Sequence, residues 1–131
     1  MENNENYEPK NKINTHRSHK KWLAKLDFFQ DEIKYFQNRV AEVAAKNTKE
    51  EIVEKVKNFR KMIIQMLTDI DDMRHQIHLH EYYLTYFEQQ HLKEGKVIKP
   101  SFEDEKIEME KFGYTFHQLR KQLNRFLSET L

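Results

Sequence analysis

The chain contains no cysteine and very little glycine or proline, and each shortage excludes a class of structure. Without cysteine there can be no disulfide, no thiolate nucleophile and no cysteine-ligated zinc site. Two glycines and two prolines among 131 residues leave few residues that suit tight turns, so a fold built from many short strands is close to excluded. The chain must therefore consist of a few long regular elements.

Long apolar runs and an excess of either charge are also missing. No run of 18 apolar residues occurs and the N-terminal segment lacks an apolar stretch, so we expect a soluble, cytoplasmic protein without a transmembrane segment. The formal net charge of +1 gives no overall attraction to nucleic acid or to anionic membranes. Aromatic residues nevertheless make up 12% of the chain, which indicates a hydrophobic core and disfavours a fully disordered protein.

Apolar residues recur at alternating spacings of four and three, which is the pattern of one stripe along an α-helix. Three such stripes predict helices over about 15–46, 49–94 and 102–128. The first stripe includes Leu26, Ile33 and Val40, and the second includes Ile63. Residues 1–14 are polar and predicted to form a disordered arm. We therefore predict an all-α fold in which residues 15–131 form one domain, an antiparallel and coiled-coil-like three-helix bundle with a long central helix.

Two segments have the residues that begin helices. Thr48 and Glu51 have the spacing of a capping box, in which each side chain accepts a hydrogen bond from the backbone of the other. Ser101 precedes acidic residues that suit the first turn of the third helix. These signals place the starts of the second and third helices.

The predicted lengths determine how the helices pair. We predict that the chain folds back at Asn47 and at the loop 96–100, and the second fold pairs Phe126 with Leu67. All three helices then overlap only near residues 63–77, and each end is a two-helix ribbon with an exposed apolar stripe. Such strips usually mark a partner surface. We therefore predict a homodimer, or binding of a partner-protein helix, through Ile52, Val56, Phe59, Leu84, Phe87, Met109 and Phe112.

Three of the seven histidines lie within residues 75–80, and the same register brings others to their level. Imidazole and carboxylate are the usual ligands of zinc, iron or nickel when no thiol is present. The candidate metal ligands are His19, His75, His78 and His117. No His-Glu-x-x-His or His-x-x-x-His motif supports them.

The sequence favours a simpler interpretation than a metal site. In it, His80 is a core histidine that hydrogen-bonds a neighbour, and the other histidines are solvated. A third interpretation is a pH sensor, since His80 and His91 fall on the apolar stripe. A buried neutral imidazole there would destabilise the fold when it gains a proton in mild acid.

A second alternative function concerns the N-terminal segment. Six basic residues and no acidic one lie between Pro9 and Leu26, a pattern that can contact phosphates. The second alternative function is therefore weak binding of nucleic acid or an anionic surface through residues 10–25. Trp22 falls on the apolar stripe, however, which favours a place in the core over stacking on a base.

Signals for catalysis are weak. The sequence has no glycine-rich phosphate loop and no nucleophile elbow. Glu105 is the one acid on the stripe of the third helix, and one acid makes no catalytic pair. We expect no enzymatic activity and no cofactor. The predicted function is a non-enzymatic interaction or scaffold module that acts through its apolar helix faces.

Overall fold

The structure is a computed structural model that describes residues 9–87 and 101–131. Its elements are the helices α1 (Pro9–Lys46), α2 (Glu50–Tyr82) and α3 (Phe102–Thr130), and α2 continues as a π-helical segment over Tyr83–Phe87. The three helices pack against one another, and the described residues contain no strand. The predicted all-α three-helix bundle is thus confirmed.

The boundaries differ from the prediction at the N-terminal end. Helix α1 begins at Pro9 rather than near residue 15, so residues 9–14 are helical although they were assigned to the arm. Proline suits the first turn of a helix because the N–H that it lacks would have no partner there. The predictions for residues 1–8, and for 88–100 with His91 and the end of the second helix, lie outside the described residues.

The capping signals had different outcomes. The capping box at Thr48 was wrong: Lys49 is the N-cap of α2, and it makes no side-chain capping hydrogen bond. Glu50 and Glu51 instead place negative charge in the first turn of α2, where the helix dipole favours it. The Ser101 cap is confirmed, because its Oγ accepts a hydrogen bond of 3.2 Å from the Asp104 amide.

The apolar stripes of the three helices form one continuous core. Fully buried members include Leu26, Val40 and Val43 of α1, Ile70 of α2 and Leu123 of α3. Helix α2 stays helical through residues 72–82, as predicted. None of the helices in the described ranges has both the length and the apolar character needed to cross a bilayer.

Helix α3 lies further along α2 than its predicted register. The rings of Phe59 and Phe126 are 5.0 Å apart, whereas the predicted register pairs Phe126 with Leu67. At about 1.5 Å per residue this is a displacement of about 12 Å, or two helical turns. Buried residues consequently extend over Val56–His80 on α2 and Glu105–Leu127 on α3, so the expectation of long two-helix ribbons was wrong.

The shifted register changes the surroundings of the predicted interface residues. Val56, Met109 and Phe112 are 3%, 7% and 6% exposed, and in this chain they contact its own helices. Ile52 and Phe59 are partly buried against the same core. Leu84 is half-buried, and the Phe87 side chain lies outside the described residues. The homodimer itself stays a prediction.

Candidate metal centre

Four polar side chains from all three helices meet near one end of the bundle. We call them the His–Glu cluster: His19 on α1, His80 and Glu81 on α2, and Glu105 on α3. His19, His80 and Glu105 are only 1%, 4% and 8% exposed, which is rare for charged or titratable residues unless they are paired. They lie on the apolar stripes, so the helical repeat that buries the core also buries the cluster.

Glu105 joins the two buried histidines. Its Oε1 accepts hydrogen bonds from His19 Nε2 at 2.8 Å and from His80 Nδ1 at 2.9 Å. The other nitrogen of His19, Nδ1, donates to Glu81 Oε2. Glu81 Oε1 in turn accepts from Nδ1 of the exposed His16 at 2.7 Å. The result is an unbroken series of imidazoles and carboxylates that alternates from the surface to the core.

Aromatic rings cover the buried end of this series. The His19 and His80 rings lie edge to face with their centroids 4.8 Å apart. The Trp22 ring lies 5.7 Å from that of His19 and stacks on Phe102 at 5.2 Å. Electrostatic interactions within the cluster are therefore less screened than on an open surface.

Burial and pairing act in opposite directions on the cluster. Burial lowers the pKa of His19, but its hydrogen bonds to Glu105 and Glu81, together with their charges, outweigh burial and raise that pKa above the ordinary value. Burial likewise raises the pKa of Glu105 and of Glu81, yet the hydrogen bonds and charges of their histidine partners lower both values overall. The favoured state is an imidazolium at His19 between two carboxylates.

The pH-sensor interpretation of His80 and His91 stays a prediction, because the pKa shift described here belongs to His19. A histidine whose pKa is raised stabilises the fold while it is protonated, so mild acid does not disrupt it. The sign for His19 is therefore opposite to the one expected for a buried neutral imidazole.

The same atoms can hold a metal ion. One ligand atom from each of His19, His80 and Glu105 lies within 4.8 Å of the other two. In a tetrahedral zinc site with bonds of about 2.0–2.1 Å, neighbouring ligand atoms are about 3.3 Å apart. The hydrogen bonds of 2.8 and 2.9 Å would lengthen by about 0.5 Å around an ion, and the two histidine nitrogens, which lie within 4.8 Å of each other, would adjust to the same spacing.

Of the four predicted metal ligands, only His19 belongs to this group. His75, His78 and His117 are exposed and lie outside it, because residues at one level of a bundle need not face the same direction. Among the described residues, His19, His80 and Glu105 are the only group with metal-ligand spacing.

His80 and Glu105 stand out in the sequence, but the predicted register kept them apart. It places Glu105 about two turns beyond His80, whereas the structure places the two side by side. The sequence feature that indicates the cluster is a polar residue on each of the three apolar stripes. On α1 this residue is His19, one step before Trp22 in the alternating pattern.

Four of the six basic residues of the N-terminal segment have exposed side chains on α1. Arg17, Lys20, Lys21 and Lys25 are exposed. Trp22, in contrast, is partly buried against the core and stacked on Phe102, so it is not free to stack on a base. Binding of nucleic acid or an anionic surface stays a prediction.

No protein-family model, curated protein or solved structure matches this chain. A helical bundle can carry many unrelated activities, so the fold alone identifies none of them. The chemistry of the His–Glu cluster is the most specific indication of function within the described residues.

Proposed function

We propose that this protein binds a divalent transition-metal ion, Zn²⁺ or Fe²⁺, through His19, His80 and Glu105. The observation that carries the proposal is the convergence of three buried ligand atoms within 4.8 Å. Two imidazoles and one carboxylate form the ligand set of several catalytic zinc sites and of the facial triad of non-haem iron(II) sites. The ion leaves at least one coordination position for water.

Glu81 supports this assignment because of what it does to His19. A metal-binding histidine usually donates its second ring N–H to a carboxylate or carbonyl, which fixes the tautomer and the ring orientation. The Glu81 carboxylate accepts from His19 Nδ1, and this arrangement directs Nε2 toward Glu105. His19 is thus oriented as a metal ligand by a hydrogen bond that does not involve the ion.

The energetics of burial also favour a role beyond stability. Buried ionic groups lose much of their hydration, and apolar residues of similar size often stabilise a core equally well. The neighbouring positions on these stripes, such as Ile77 and Met109, are apolar and buried. Three polar residues at this one level therefore suggest a ligand.

Binding of the ion replaces protons. Because a carboxylate can only accept, the hydrogen bonds of Glu105 place a proton on His19 Nε2 and one on His80 Nδ1. The ion must displace both protons to reach the nitrogen lone pairs. A neutral imidazole can carry its proton on the other ring nitrogen, but the His19 imidazolium has both nitrogens protonated and must release one proton, so binding strengthens as the pH rises.

The test is a titration of EDTA-treated protein with Co²⁺, followed by visible absorption, and with Zn²⁺, followed by calorimetry. We expect one ion per chain. The variants His19→Gln and His80→Gln should lose binding, while His75→Gln and His117→Gln, which change exposed histidines, should keep it. Circular dichroism of each variant verifies that it is folded.

Two results would overturn the proposal. One is wild-type protein that takes up neither ion at micromolar concentration. The other is binding that His75→Gln abolishes and His80→Gln preserves, because this would place the ion on the surface. In either case the cluster is a structural ion-pair network only.

A metal site at one end of the bundle is compatible with an interaction or scaffold function, which stays a prediction together with the cytoplasmic location. We propose no reaction at the site, and the expectation that the protein is not an enzyme is likewise untested.

A further inference from the structure

A groove of about 820 Å³ lies between α2 and α3. Part of its lining is apolar and rich in methionine, whose flexible side chain adapts to partners of different shape. These apolar residues are Met62, Met66, Met73, Phe112 and Leu119. Met66, Met73, Phe112 and Leu119 are buried and form the floor of the groove, and Met62, which is 43% exposed, is its accessible apolar side chain.

Carboxylates surround this apolar lining. The acidic residues of the groove are Asp69, Asp72, Asp104, Glu105 and Glu108, and the basic or titratable ones are Lys111 and His75. Asp72, Asp104 and Glu108 are exposed. Within residues 9–87 and 101–131 none of these three forms an ion pair. The groove therefore presents negative charge that its own helices leave unneutralised.

We infer that this groove binds a basic amphipathic helix of another protein. A groove between two helices with an apolar floor accepts the apolar face of a third helix. The lining spans residues 62–76 of α2, about 22 Å at about 1.5 Å per residue, which matches about four helical turns. Lysine or arginine beside the apolar face then meets Asp72, Asp104 and Glu108.

Charge also argues against a symmetric dimer through this groove. A two-fold axis would place the same surface of both copies face to face. The unpaired carboxylates of one copy would then oppose those of the other, and like charges across an interface are costly. A partner with a basic helix avoids this repulsion.

The experiment uses a fluorescein-labelled 15-residue peptide of leucine and lysine, with leucines at helical positions i, i+3, i+4 and i+7. Fluorescence anisotropy in EDTA measures its binding to the full chain. We expect saturable one-to-one binding that weakens as salt increases. The double variant Asp72→Lys/Glu108→Lys should bind about tenfold more weakly, because reversed charges repel the lysines.

Matched controls separate the groove from general electrostatic attraction. The variant Asp71→Lys/Glu110→Lys makes the same change of net charge at exposed positions outside the groove and should bind like the wild type. A scrambled peptide of the same composition, which has no apolar face, should bind weakly or not at all.

Three outcomes overturn the inference. They are no binding of the designed peptide, equal weakening by both double variants, and a chain that dimerises in sedimentation only while Asp72 and Glu108 are intact. The inference does not rest on metal binding, since the test runs in EDTA and changes no residue of the His–Glu cluster.

Discussion

Replacing Glu105 by glutamine removes one negative charge from the His–Glu cluster with little change of shape. In the native chain the Glu105 carboxylate accepts from His19 Nε2 at 2.8 Å and from His80 Nδ1 at 2.9 Å. The glutamine carbonyl oxygen has two lone pairs and can still accept from both donors, but it carries no negative charge. Its NH₂ group takes the place of Oε2, which accepts from His80 Nδ1 at 3.0 Å in the native chain, so a donor would face a donor there. His19 retains Glu81, so the variant should fold.

The structure sets the size of the effect. Breaking a buried ion pair costs about 3–5 kcal/mol, whereas a hydrogen bond to a charged group contributes about 1.5–3 kcal/mol. Because His19 keeps one carboxylate partner and the glutamine carbonyl oxygen still accepts hydrogen bonds, we expect a loss of about 2–3 kcal/mol at pH 6. In a chain of 131 residues, this lowers Tm by about 6–15 °C.

The loss should depend on pH. The pKa of His19 is raised by Glu105 and Glu81 despite burial, so the imidazolium contributes in full below about pH 6.5 and its contribution disappears as the pH rises through the raised pKa. The Tm difference between wild type and Glu105→Gln is therefore widest near pH 6 and narrower at pH 9.

The assay is thermal unfolding followed by circular dichroism in EDTA from pH 5.5 to pH 9.5. Glu108→Gln is the matched control, because it changes an exposed glutamate on the same helix and should leave Tm within about 2 °C. A Tm difference that is constant over this range refutes a charged cluster. So does a Glu105→Gln variant that is more stable than wild type at pH 6.

The metal-free wild type should itself be most stable between about pH 4.5 and pH 6.5, since the pKa of His19 is raised and those of Glu81 and Glu105 are lowered. A Tm that keeps rising from pH 6 to pH 9 would contradict this prediction. Zinc affinity should increase by up to about tenfold per pH unit for the proton that His19 releases, which calorimetry at pH 6 and pH 7 can measure, and an affinity that does not change with pH would count against ligation by His19. Ile70→Ala should lower the free energy of unfolding, measured by chemical denaturation, by about 2–5 kcal/mol, because Ile70 is 0% exposed and the substitution leaves a cavity. A loss under about 1 kcal/mol would mean that this level of the core is loosely packed.

The helices and their buried faces could be predicted from the sequence, because a period of 3.6 residues determines which side chains share a face. Leu26, Ile33, Val40 and Ile63 were all placed on the stripes, and all are buried. Periodicity carries no information on how far one helix slides along another. The predicted position of α3 along α2 was therefore wrong by two turns although the stripes were correct. In that predicted position Phe126 does not contact Phe59.

The candidate site depends on that sliding, which is why it was only partly predicted. His19 was identified as a possible ligand, and His80 as a core histidine with a hydrogen-bonding neighbour. The neighbour, Glu105, could be found only from the true register. The exposed His75 and His78 were predicted as metal ligands because they are close to His80 in sequence, but neighbouring positions on a helix point in different directions.

The bond between His19 and Glu105 joins residues 86 positions apart. Contacts at such separation form late in folding, after local ones have reduced the cost of closing the chain. The hairpin of α1 and α2 can assemble without this bond, whereas the bond requires α3 to be docked. Binding of an ion to His19, His80 and Glu105 would consequently hold α3 against α1 and α2. The cellular concentration of that ion would then determine the fraction of molecules in which α3 is docked.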